Sequence, residues 1–255
     1  MPRRLAPLIT LLILSAPGAA WAQPDSVAAL RELLSGGFYA LAAQVEGPRV
    51  VEAQPRNAEA RLLYARALYL VGNLGAAGSQ LERAETLTRS PELARAVTHL
   101  SALVQAAEGD TKSAERLLAQ TFRAAPDYQL AMAWGQVAWQ GGNLETALRA
   151  YQAAAATPKG RREPWPSLNS ARLQLQKGDF SGAIASLETT LTLLEQDPNP
   201  SPRPSPAYAE AFYRLGQAHE AQAEIQEARS NYQAARSVDP DYAPAEVALE
   251  RLGTP

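Results

Sequence analysis

Apolar residues along most of the chain recur in steps of three and four, as in Leu74, Ala77, Leu81 and Ala84 and again in Leu144, Ala147, Tyr151 and Ala154. That spacing lines one face of an α-helix. Glycine closes many of these stretches, and Asn or Asp often follows it. Glycine accepts the left-handed backbone that ends a helix, so the chain is predicted to turn there and fold back. Prolines at 55, 126 and 240 fall between the units, where they suit a helix start or stop. The pattern predicts helix pairs over residues 25–54, 58–86, 92–122, 128–156, 164–195 and 207–237, with a last helix over 243–252 as a cap.

The spacing is itself periodic. Gly37, Gly72, Gly109, Gly142 and Gly178 are 35, 37, 33 and 36 residues apart, and Ala223 follows after 45. An alanine stands five residues after each of these glycines, at Ala42, Ala77, Ala114, Ala147 and Ala183. Four residues further on, all but the first place Leu or Tyr: Leu81, Leu118, Tyr151 and Leu187. The first copy, Gly37-Phe38-Tyr39 with Ala42 and Val45, is degenerate. One helix hairpin cannot bury its own apolar face, so repeats at this period imply a stack with a continuous core.

Residues Ala209 to Pro240 carry the clearest unit, with Leu215-Gly216, Ala228, Tyr232, Ala235 and Pro240 in order. This segment resembles the tetratricopeptide repeat, and Ala223 is its one departure, since the turn there is usually Gly. The resemblance implies an all-α fold: a right-handed superhelical solenoid of antiparallel helix pairs spanning residues 23–255, with a C-terminal capping helix. Segments 158–166 and 198–206 interrupt it with proline. The second reads as a stiff surface spacer, with a ligand for a proline-reading domain as the alternative.

Composition agrees with closely packed helices. Hydrophobic residues make up 46% and aromatics 7%, with alanine prominent, and alanine has the best helix propensity. The net charge of -2 offers no basic field for nucleic acid. The first residues differ from the rest. Arg3 and Arg4 precede an apolar run, and Ala20-Trp21-Ala22 matches a small-residue cleavage pattern. A signal peptide over residues 1–22 is expected, with export to a periplasmic or extracellular space and no membrane span once it is removed.

Chemistry is sparse. There is no cysteine, and the two histidines, His99 and His219, lie in different units. No phosphate-binding loop, nucleophile elbow or metal-ligand spacing is present. No enzyme, metal or cofactor is expected.

In the resembled family the first helices line a concave face that holds a protein or peptide. Carrying this over places Glu59, Leu62, Arg66 and Tyr69 in the groove, then His99 and Leu103, then Gln129, Met132, Gln136 and Trp139. Trp165, Leu168, Arg172 and Leu175 follow, and Glu210, Tyr213, Gln217 and Glu220 complete the lining. Trp134 is expected in the core. Some members grip a C-terminal carboxylate with a Lys/Asn/Arg clamp. That clamp is not expected here, because no lysine falls at these groove positions and Arg172 and Arg214 are the plausible pieces. The expected function is a scaffold for a protein or peptide partner, with envelope assembly or secretion as its setting. The alternative is a small-molecule or lipid carrier using the apolar part of the groove. Association of copies through an exposed repeat face is left open.

Overall fold

The computed structural model describes residues 26–196 and 206–253. The expected leader, its cleavage site and most of the 198–206 segment lie outside the described residues. Helices α1 (Val27–Ser35), α2 (Tyr39–Leu41) and α3 (Gly47–Ala53) form the first unit. Then come the pairs α4 (Ala58–Leu70) and α5 (Leu74–Leu87), α6 (Pro91–Ala107) and α7 (Thr111–Ala124), and α8 (Tyr128–Gln140) and α9 (Leu144–Ala156). Helices α10 (Trp165–Lys177) and α11 (Phe180–Glu195), and α12 (Pro206–Ala221) and α13 (Ile225–Val238), complete the series. Helix α14 (Ala243–Arg251) packs on α13 and covers Tyr232 with Ala248. Each pair is antiparallel and stacks on the next, giving an all-helical solenoid with no strand among the described residues.

The turns explain the repeat signature. Gly142 sits at φ 77° in the left-handed region, and Asn143 then accepts from the Thr146 amide to cap α9. Asn73, Asp110 and Asp179 cap α5, α7 and α11 in the same way. The last pair lacks both devices. Ala223 is forced to φ 63°, and the Glu224 carboxylate turns instead to Nδ1 of His219 at 2.6 Å.

Inside each pair the contact is matched by size. A small residue of the first helix meets a large one sixteen positions later. Ala65 and Leu81 are buried in one cluster, Ala102 and Leu118 in another, and Ala171 and Leu187 in a third. Where the large residue is tyrosine, the small one is glycine. A Cβ on Gly135 would lie 2.5 Å from Tyr151 Cε1, and one on Gly216 would lie 2.4 Å from Tyr232 Cε1. The first unit breaks the rule. Glu46 occupies the place of the large residue, and a π-helical turn, Ala42–Glu46, breaks the second helix. Ala42 is buried as expected for a repeat, but Val45 is turned outward and is 37% exposed.

One junction differs from the others. Successive first helices touch at α4–α6, α6–α8 and α10–α12, whereas α8 and α10 stand further apart. Between them runs residues 157–164, which include a short 3-10 turn, Gly160–Arg162. Lys159 Nζ sits 5.0 Å above the Tyr128 ring and anchors this segment to the start of α8.

Candidate functional site

The gap between α8 and α10 opens a cavity of about 710 Å³. His99 and Leu103 of α6 form one wall, and Gln129, Met132, Gln136, Trp139 and Gln140 of α8 form the next. Asn169 and Arg172 of α10 close the far side, and Tyr151 of α9 lies at the floor. A shallower cavity of about 380 Å³ continues past Trp139 and Arg172 to Leu175, Gln176, Phe180, Arg214 and Gln217. The two share Trp139 and Arg172, so together they make one groove running across α6, α8, α10 and α12.

Trp139 bridges the gap, its indole Nε1 donating to Gln176 Oε1 at 3.2 Å. Arg172 is fixed more tightly. Its Nε and Nη2 donate to the two oxygens of Glu210 at 2.8 and 2.5 Å, and Nη1 donates to Asn169 Oδ1 at 2.8 Å. Arg214 adds a 3.3 Å contact from Nε to Glu210 and a 3.1 Å contact from Nη1 to Gln217 Oε1. Burial pushes the Glu210 carboxyl up, but the two guanidinium groups outweigh it and hold the group below the ordinary carboxylate range. His99 is pulled below its ordinary value by burial and, more weakly, by Arg66, against an opposing effect of Asp127. Its neutral form is thereby favoured. Burial raises the Tyr151 phenol to about 12, with Arg172 opposing.

Of the residues expected in the groove, His99, Leu103, Gln129, Met132, Gln136, Trp139 and Arg172 share the large cavity, and Gln217 and Leu175 line its extension. The α4 set lies apart. Glu59 pairs with Arg31, Leu62 and Tyr69 pack on the first core cluster, and Arg66 adds its charge near His99. Leu168 is corrected outright: it is 0% exposed, enclosed with Leu187, Leu194, Ala207 and Leu215. The next residue, Asn169, faces the cavity instead, a one-residue difference in the register of α10. Trp165 is 40% exposed at the start of α10 and lines neither cavity. Tyr213 packs tilted against Tyr232 and edge-on against Tyr242, with centroids 5.6 and 5.7 Å away, and its hydroxyl accepts from Gln217. Glu210 and Glu220 serve as ion-pair partners of arginines. Trp134 packs in the core beside Phe122, as expected. Sequence reasoning misses Tyr151, Gln140 and Asn169. The signal for Tyr151 is that the Gly135–Tyr151 repeat carries Trp139 where the Gly216–Tyr232 repeat carries Glu220.

Chemically the lining is mixed. Leu103, Met132 and Trp139 give apolar contact, while Gln129, Gln136, Gln140 and Asn169 offer both donors and acceptors. Among the described residues no group of His, Asp and Glu is arranged to hold a metal ion. No helix there is long and apolar enough to cross a membrane.

Sequence comparison matches the tetratricopeptide repeat over residues 99–161 and 168–243, more than half of the chain. The chain belongs to the tetratricopeptide repeat family. The break between the matched segments falls at the inserted residues that part α8 from α10. None of the curated proteins matches this tetratricopeptide chain in sequence. Solved structures share its fold at low identity. YrrB, described as a TPR protein with an unusual peptide-binding site, is 19% identical with a TM-score of 0.58, covering 82% of this chain and 99% of its own. PilW, a type IV pilus biogenesis factor, is 15% identical with a TM-score of 0.67, covering 88% and 96%. PilF of Pseudomonas aeruginosa is 14% identical with a TM-score of 0.64, covering 88% and 95%.

Proposed function

We propose that this chain is a non-catalytic scaffold that holds an extended segment of a protein partner in the groove across α6, α8, α10 and α12. The observation that carries this reading is the lining itself. An open channel with apolar anchors and four neutral amide side chains suits a polypeptide, whose main chain offers donors and acceptors along its length. Aromatic and Arg residues are favoured binding anchors, and Trp139 with Arg172 stands at the centre of the groove. The peptide-binding site named for YrrB and the pilus-biogenesis role named for PilW accord with this reading. A lipid carrier would call for an enclosed apolar cavity, which this half-polar open groove does not resemble.

The test compares capture from a native cell-envelope extract by the wild type, Trp139→Ala and Trp165→Ala. Loss of a defined partner in the first variant and its retention in the second supports the groove. Equal capture by all three places binding on another face. Export is part of the proposal. It rests on the leader pattern, and the mass of the protein recovered from the producing cell tests it by showing whether the chain begins at Gln23.

A further inference from the structure

The last repeat supplies a template for the large cavity. In it, Tyr232 donates from its hydroxyl to Glu220 Oε2 at 2.7 Å, and Arg251 Nη2 of the following helix donates to the same oxygen at 2.7 Å. The fourth repeat has the same frame. Gly135 and Tyr151 stand as Gly216 and Tyr232 do, with the ring packed on the glycine. Arg172 of the following helix reaches the Tyr151 phenol electrostatically, as Arg251 reaches Tyr232. The carboxylate is what differs. Four residues after the glycine, Glu220 is replaced by Trp139.

The consequence is a donor that faces the cavity without a protein acceptor. Tyr151 is only 2% exposed, lies at the floor of the cavity and has no hydrogen-bond partner for its hydroxyl among the described residues. The hydroxyl tip opens to the cavity and is not sealed inside the protein, so it is free to donate to a ligand there. Arg172 has donors in reserve: three of its N–H groups are used, and a guanidinium carries five. No Asp or Glu lines the cavity. Glu210, held from the far side by Arg172 and Arg214, is outnumbered two to one by those cations.

We propose that the cavity between α8 and α10 receives a carboxylate of the partner, seated between the Tyr151 hydroxyl and Arg172 where the last repeat holds Glu220. An apolar neighbour in the partner then lies against Trp139, Met132 and Leu103. The carboxylate belongs to an Asp or Glu side chain or to a chain terminus. This rests on the groove reading above and names the group that the groove selects. It differs from a lysine-based clamp, because its key donor comes from the second helix of a repeat.

Two measurements test it. The first needs no ligand. Trp139→Glu restores the template, and Trp139→Gln is its uncharged control. At pH 7 the Glu variant should melt several degrees above the Gln variant, and Tyr151→Phe should abolish that difference. Equal melting, or a lower value for Glu, overturns the proposal. The second follows the Trp139 indole resonance of the full chain with three peptides of one apolar sequence: an end-capped peptide with a central Asp, its Asn counterpart, and an uncapped peptide without Asp. Binding of either carboxylate peptide at least tenfold tighter than the Asn peptide, weakened at least fivefold by Tyr151→Phe, supports the site and tells side chain from terminus. Equal binding of the Asn peptide overturns the carboxylate while keeping the groove. Absence of any shift at millimolar peptide overturns the assignment of this cavity, and the capture experiment then judges the groove alone.

Discussion

Tyr151 packs so closely on the bare backbone of Gly135 that a Cβ there would lie 2.5 Å from its ring. The pair joins α8 to α9 and forms the floor of the cavity. Packing and site are therefore built from the same contact.

Gly135→Ala should destabilise the protein. Overpacking costs about 1–3 kcal/mol, offset by roughly 1 kcal/mol of helix propensity. Adding Tyr151→Leu recreates the Ala–Leu pairing of Ala102 and Leu118 and should recover the loss. A double-mutant cycle by chemical denaturation should return a coupling of about 1–2 kcal/mol; additive effects would show that the pair does not interact.

Ala223→Gly should stabilise. Ala pays about 1–2 kcal/mol in the left-handed region, and Gly gives back part of that in backbone entropy. The net gain is about 0.5–1 kcal/mol, a rise of a few degrees in Tm. Glu224→Asn, which restores the cap seen at Asn143, should add about 0.5–1 kcal/mol. Thermal melts of the single and double variants check both.

Glu210 ties α10 to α12 through Arg172 and Arg214. Its folded carboxyl is held below the ordinary value of about 4.3. The stabilisation is therefore complete above that value and is lost as pH falls through the lower folded value. Wild type should exceed Glu210→Gln in stability at pH 6–8, and the gap should close in acid. A gap independent of pH would rule out ionisation as its origin.

His99 should titrate below about 6.5, the ordinary histidine value, in a pH series of its ring resonances. The unfolded chain takes up its proton first, so this group removes stability as pH drops from that value towards the folded one. His99→Gln should flatten the dependence over that window.

Much of the fold is legible in the sequence because the four middle repeats state their turn twice, as in Gly142 and again in the Asn143 cap. The size rule is also written there, in the sixteen-residue step from Gly216 to Tyr232. The groove is less legible. It arises where α8 and α10 part, and the spacing of glycines does not encode how far apart two helices stand. The inserted residues before α10 also shift its register, so helical phase assigns Leu168 to the groove when Asn169 occupies that place. Tyr151 reads as a packing residue from its pattern, and only the comparison with Tyr232 shows that its hydroxyl lacks a partner.

The size matching has an evolutionary side. A Gly–Tyr repeat and an Ala–Leu repeat differ at two sites, and a lineage changes one at a time. The route through Ala–Tyr is overfilled, and the route through Gly–Leu leaves a void. Both intermediates are weaker than either end, so neighbouring repeats can keep different dialects for long periods. A repeat that has adopted tyrosine then carries a hydroxyl at the edge of its core, and selection finds there a ready point from which a new binding specificity can start.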